Sequence, residues 1–101
     1  MKAVFTSSLL LATFVAAASS IIQELCVMDD EPLEMKLHCI SSYLPESSRV
    51  ALDEAIQSLT CMDSYCAVRK MCEGGDLVAA MSLFFTPQHI WQFEVASSVC
   101  D

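Results

Sequence analysis

The sequence predicts an all-α fold, a compact five-helix domain stapled by disulfides. Three observations predict it. Capping residues and prolines divide the chain into short amphipathic stretches. No segment keeps the apolar–polar alternation of a strand between turn residues. Six cysteines follow a leader-like start, and an even number in that setting marks a disulfide framework.

In chain order, residues 1–20 read as a secretory signal peptide. Lys2 supplies the positive start, Ala3–Val15 is mostly apolar, and Ala16-Ala17-Ala18-Ser19-Ser20 supplies the small residues a signal peptidase needs. Cleavage is expected after Ser20, with a cut after Ala18 as the alternative. The apolar run is short for a layer ~30 Å thick, and no basic cluster follows to stop transfer. The secreted, extracellular domain is therefore residues 21–101.

Gln23–Met28 suits a short first turn. Asp29-Asp30-Glu31-Pro32 opens the first helix, with Asp30 as cap, Pro32 in the first turn and acidic groups on the positive end of the dipole. It carries Leu33, Leu37, Ile40 and Tyr43 or Leu44, and Pro45 stops it. The second begins near Ser47 or Ser48 with Leu52, Ala55, Ile56 and Leu59 on one stripe. Asp63 or Ser64 caps a third helix to Cys72, which Gly74-Gly75 ends. Asp76 caps Leu77–Phe85. Thr86-Pro87 starts the last helix, which carries Ile90, Trp91, Ala96 and Val99. Phe84, Phe85, Trp91 and Phe93 are expected to build the core, with Met28, Met35, Met62, Met71 and Met81 filling it. Short connections favour antiparallel neighbours in an orthogonal or bundle-like array.

The formal charge is −8, from thirteen acidic residues against five basic ones, and it grows more negative when Lys2 leaves with the signal peptide. So acidic a surface repels phosphate backbones and anionic lipid, which argues against nucleic-acid binding and against insertion as a cationic helix. Arg69-Lys70, the one basic pair, reads as a solvated helix face. Catalysis has no support. Neither Gly-x-Ser-x-Gly nor His-Glu-x-x-His occurs, and with every cysteine expected in a bridge none is left as a nucleophile, so no enzyme is expected. A zinc site is disfavoured by the lack of any Cys-x-x-Cys pair and by only two histidines. A domain this small buries too little surface to depend on packing alone, and each bridge adds roughly 2–4 kcal/mol. Spacing alone does not choose among the pairings six cysteines allow.

The cysteines Cys26, Cys39, Cys61, Cys66, Cys72 and Cys100 are spaced C-x12-C-x21-C-x4-C-x5-C-x27-C. Around them stand Gln23-Glu24-Leu25-Cys26, Arg69-Lys70-Met71-Cys72, Ala80-Met81-Ser82 and Phe85-Thr86. With the opening Met1-Lys2-Ala3, these pieces resemble the microplusin and hebraein family of secreted tick antimicrobial proteins over the whole chain. The resemblance implies a five-helix domain with nested bridges, Cys26–Cys100, Cys39–Cys72 and Cys61–Cys66. It also implies an antimicrobial, innate-immune role through copper withheld from microbes by histidines near the chain ends.

At those ends this sequence departs from the family. Ile21-Ile22 stand where family members carry histidines, Glu94 stands in the last helix where many carry one, and the sequence stops at Asp101 without a histidine-rich tail. Imidazole is the side chain suited to Cu(II), so copper binding is expected to be weakened or lost. The remaining metal candidates are His38, His89 and Glu94. His38 is expected at or near the surface, and His89 in contact with solvent or a helix cap. The expected partners are a metal ion or a microbial target, and the expected state is a monomer. The alternative function is a secreted salivary binding protein for a small apolar ligand or a host protein.

Overall fold

A computed structural model describes residues 21–101; the expected signal peptide lies outside the described residues. These form six helices rather than five, and no strand. A 3₁₀ turn, Glu24–Val27, precedes α1 (Asp30–Tyr43), α2 (Glu46–Ser58), α3 (Ser64–Cys72), α4 (Leu77–Met81) and α5 (Pro87–Val99). The extra element is the short first turn, which closes regularly enough to count as a helix. α4 is shorter than Leu77–Phe85: the chain tightens through successive turns, with Phe84 and Phe85 N–H both donating to the Met81 carbonyl, before Thr86 restarts it.

The caps follow the sequence in three places. Asp63 accepts from Cys66 N–H, Asp76 from Ala79 N–H and Thr86 from His89 N–H, each satisfying a donor that a helix start leaves unpaired. α1 differs: Asp29, not Asp30, holds the cap position, and its side chain makes no capping bond. Asp30 is occupied elsewhere.

α3 is the hub, packing on the 3₁₀ turn and on α1, α2 and α4, while α5 lies across α1 and α2. Between them sits a core that includes Leu33, Leu37 and Ile40 of α1, Leu52 and Ala55 of α2, and Val68 and Met71 of α3. Leu77, Met81, Phe85 and Phe93 complete it, with Ile22 and Leu25 plugging it from the N-terminal side. Several expected core residues lie outside. Trp91 is 62% exposed, because α5 faces inward through Phe93, Ala96 and Ser97 and a residue two positions from Phe93 points the other way. Met35 lies on the outer face of α1, and Met62 sits in the loop inside the Cys61–Cys66 clip, fully in solvent.

Of the basic pair, Lys70 is exposed as expected, whereas Arg69 is half-buried. From the last turn of α3, Arg69 donates to the Cys26 carbonyl (3.2 Å), the Met28 carbonyl (2.6 Å) and Asp30 Oδ1 (2.9 Å). Its guanidinium also lies 5.5 Å from the centre of the Tyr65 ring. The nearby Tyr65 hydroxyl and then the Arg69 hydrogen bond hold the Asp30 carboxyl below the usual carboxylate range. Lys70 donates to the Leu59 carbonyl at 2.7 Å, closing the end of α2. That end is a Schellman turn: Cys61 N–H bonds the Ile56 carbonyl and Thr60 N–H the Gln57 carbonyl, with Thr60 at φ +57°. Gly75, at φ +86°, takes the same left-handed role after α3.

The bridges are Cys26–Cys72, Cys39–Cys100 and Cys61–Cys66, with Cα atoms 5.6, 5.9 and 5.6 Å apart. The first two correct the nested pairing that the family resemblance implied. The reason is packing: the 3₁₀ turn carrying Cys26 lies on α3, which ends at Cys72, and α1 carrying Cys39 lies on α5, which ends beside Cys100. A bridge forms only where Cα atoms come within about 7 Å.

Peptide mapping of the unreduced protein should recover linked fragments for Cys26–Cys72 and Cys39–Cys100; recovery of Cys26–Cys100 would refute this packing. Arg69→Ala should lower the urea unfolding midpoint, since it leaves two carbonyls and a carboxylate without their charged donor. Thr60→Gly should instead stabilise by about 1 kcal/mol, by relieving a β-branched residue at positive φ.

Candidate functional site

The three metal candidates sit on different faces. His38 is exposed on α1, beside a shallow, polar depression of about 240 Å³ shared with Glu34, Asp63 and Tyr65. Asp63 is committed there as a helix cap, its Oδ1 accepting from Cys66 N–H at 2.9 Å.

His89 completes a capping box at the start of α5. Its backbone N–H donates to Thr86 Oγ1 at 3.2 Å, and its Nδ1 accepts from Thr86 N–H at 3.4 Å. Its ring stands edge-on to Phe85 with centroids 6.4 Å apart. One of its two ring nitrogens is therefore engaged in holding a helix end. Glu94, half-buried on α5, has no ion-pair partner among the described residues. Burial pushes its carboxyl above the usual range.

Among the described residues, no three His, Cys, Asp or Glu side chains come together in a metal-holding group. His38, His89 and Glu94 are thus not assembled. The donor set does not fit a square-planar Cu(II) site, which needs several imidazole or similar donors converging on one point. All six cysteines are bridged, so no thiolate is available to a metal or a substrate.

Sequence reasoning missed the groups with the densest polar contacts. Arg69 gathers the 3₁₀ turn and the start of α1. Gln23 uses both ends of its amide: Nε2 donates to the Gly75 carbonyl at 3.1 Å and Oε1 accepts from Leu77 N–H at 2.9 Å, fastening the N-terminal segment to the α3–α4 loop. Both stand in short pieces beside cysteines, but their partners lie more than thirty-five residues away in the sequence. No helix among the described residues is long and apolar enough to cross a membrane.

Comparison with known proteins gives one consistent result. A family model described as Microplusin antimicrobial peptide matches residues 26–100, from the first cysteine to the last. The chain is 41% identical over 101 residues to the antimicrobial peptide microplusin of Rhipicephalus microplus, covering all of this chain and 92% of that protein. It is 33% identical over 93 residues to the antimicrobial peptide microplusin of Ixodes scapularis, covering 92% of this chain and 77% of that protein. No solved structure matches it significantly.

The Glu94 environment carries its own test. A raised carboxyl value means that the folded state binds the proton more tightly, so this group's contribution falls as pH rises through its titration range. Glu94→Gln should therefore raise the melting temperature at pH 7. The gain should shrink as pH falls through the raised Glu94 value and be gone below the ordinary glutamate value of 4.5. A lower melting temperature for this variant at pH 7 would contradict the assignment.

Proposed function

The chain belongs to the microplusin family, and from that premise we propose that it is a secreted antimicrobial effector whose capacity to sequester copper is weakened or lost. The observation that carries the first half is the full-length similarity to a protein named as an antimicrobial peptide. Secretion is supported by the residues of 1–20 and by three bridges, which persist in oxidising compartments.

The second half follows from the donor chemistry. Copper sequestration of the family type needs imidazoles converging on one ion. This chain has two histidines, one alone on the outer face of α1 and one whose Nδ1 is used in a helix cap. Glu94 stands where many relatives would supply a third imidazole, and its carboxyl is a hard oxygen donor better suited to calcium or magnesium. The acidic surface, with formal charge −8, also disfavours attraction to anionic microbial membranes, so lysis by charge is not the route. Catalysis plays no part in this reading.

Calorimetric titration of the processed protein with Cu(II) should give binding weaker than about 1 μM, a free energy smaller than about 8 kcal/mol. His38→Ala and His89→Ala should leave that titration unchanged. In growth assays the protein should inhibit at least one microbe, and added copper should not reverse the inhibition. Submicromolar copper binding, or rescue of growth by copper, would overturn the lost-copper reading. Absence of inhibition across bacteria and fungi would overturn the antimicrobial one.

A further inference from the structure

Beside the Cys39–Cys100 bridge, α1 and the chain's last residues line an open groove of about 590 Å³. Its lining is mostly apolar: Met28, Pro32, Met35 and the bridge itself. Three charged groups stand among them, Glu31, Lys36 and Asp101. Lys36 pairs with Asp101 at 3.5 Å, and Glu31 makes no ion pair among the described residues, so the lining keeps a net negative charge. We propose that this groove docks a short cationic amphipathic peptide segment of a partner protein, with apolar side chains on the methionines and a flanking lysine or arginine on Glu31.

Shape and lining point to a peptide. A small molecule needs a site that buries most of its surface, whereas an open groove beside a helix suits a segment that carries its own backbone and inserts side chains. The apolar surface also runs beyond the groove. Met35 is 69% exposed, and Val27 and Val99, each next in the chain to a lining residue, are exposed as well. Grouped apolar side chains left in water mark an interaction surface. Methionine is a residue such surfaces use, because its unbranched, polarisable side chain re-packs around different partners.

Charge chooses the sign of the partner. A chain of formal charge −8 draws cations to its surface and repels anions. At the groove Glu31 is exposed and without an ionic partner among the described residues. Asp101, 88% exposed, meets Lys36 through Oδ1, and a carboxylate has further acceptor sites for a second cation. The Lys36 side chain is only 12% exposed, so it turns little positive surface towards an incoming cation. Nucleic acid, anionic lipid and a second copy of this acidic chain all carry the wrong sign. This inference stands apart from the antimicrobial reading and does not use it.

The test is a fluorescence-anisotropy titration of the processed protein with three labelled peptides of equal length: leucine–lysine, leucine–glutamate in the same pattern, and serine–lysine. The leucine–lysine peptide should bind at least about tenfold tighter than either other, since it alone matches both the apolar lining and the charge. Its affinity should fall as salt rises from about 0.05 to 0.3 M. Met35→Ser should weaken it at least about fivefold, and Glu31→Gln roughly two- to fivefold with a shallower salt dependence. Both side chains are exposed, so the circular dichroism of these variants should match the parent. Trp91→Ala, which truncates the exposed tryptophan of α5 outside the groove, should leave the affinity unchanged. Any one of four results would overturn the proposal: the leucine–glutamate peptide binding as tightly, the serine–lysine peptide binding as tightly, Met35→Ser and Glu31→Gln both without effect, or Trp91→Ala abolishing binding.

Discussion

The Arg69 guanidinium is the point on which the rest of the domain depends. It reaches from α3 to two carbonyls of the N-terminal segment and to the Asp30 carboxylate, and Tyr65 stacks beside it. These contacts fix where α1 starts relative to α3. They also place Cys26 against the end of α3, where Cys72 closes the bridge. The neighbouring Lys70 does the same service for α2 by capping Leu59. A chain with few cations has thus placed two adjacent ones at the open carbonyl ends of other elements. Charge-assisted bonds there satisfy the part-buried Cys26 and Met28 carbonyls and the exposed Leu59 carbonyl.

The two long-range bridges divide the labour. Cys26–Cys72 ties the N-terminal turn to the hub helix, and Cys39–Cys100 ties α1 to the end of α5. Each sits where the helices already pack, so the bridge reinforces a contact instead of creating one. Between α2 and α5 the join is polar: the buried Ser48 hydroxyl hydrogen-bonds Gln92 Oε1. Ser97, fully buried on α5, has an Oγ without a partner among the described residues, so its small volume, which lets helices approach, matters more there than its hydroxyl.

The same economy explains the histidines. His89 is spent on a helix cap, and His38 lies alone on an outer surface. Family membership therefore attaches to the cysteine scaffold and not to an assembled metal centre among the described residues. What α1 does present near Cys100 is an open, mostly apolar groove where Lys36 pairs with Asp101.

Helix boundaries were readable because capping is local. Asp63, Asp76, Thr86-Pro87 and Gly75 act on backbone groups within a few residues, so the side chain and its target sit in one window of sequence. The stripe Leu33, Leu37, Ile40 and the framework of six cysteines were legible for the same reason. Which cysteine meets which was not legible, nor that Trp91 and Met35 face solvent, nor that Arg69 and Gln23 act as clamps. Those outcomes depend on which helix faces meet across dozens of residues. The sequence by itself therefore determined an all-α, disulfide-stapled scaffold. Only tertiary packing decided the bridge pairing, the internal use of the basic pair and the groove beside Cys100, because each is a contact between groups that no local rule brings together.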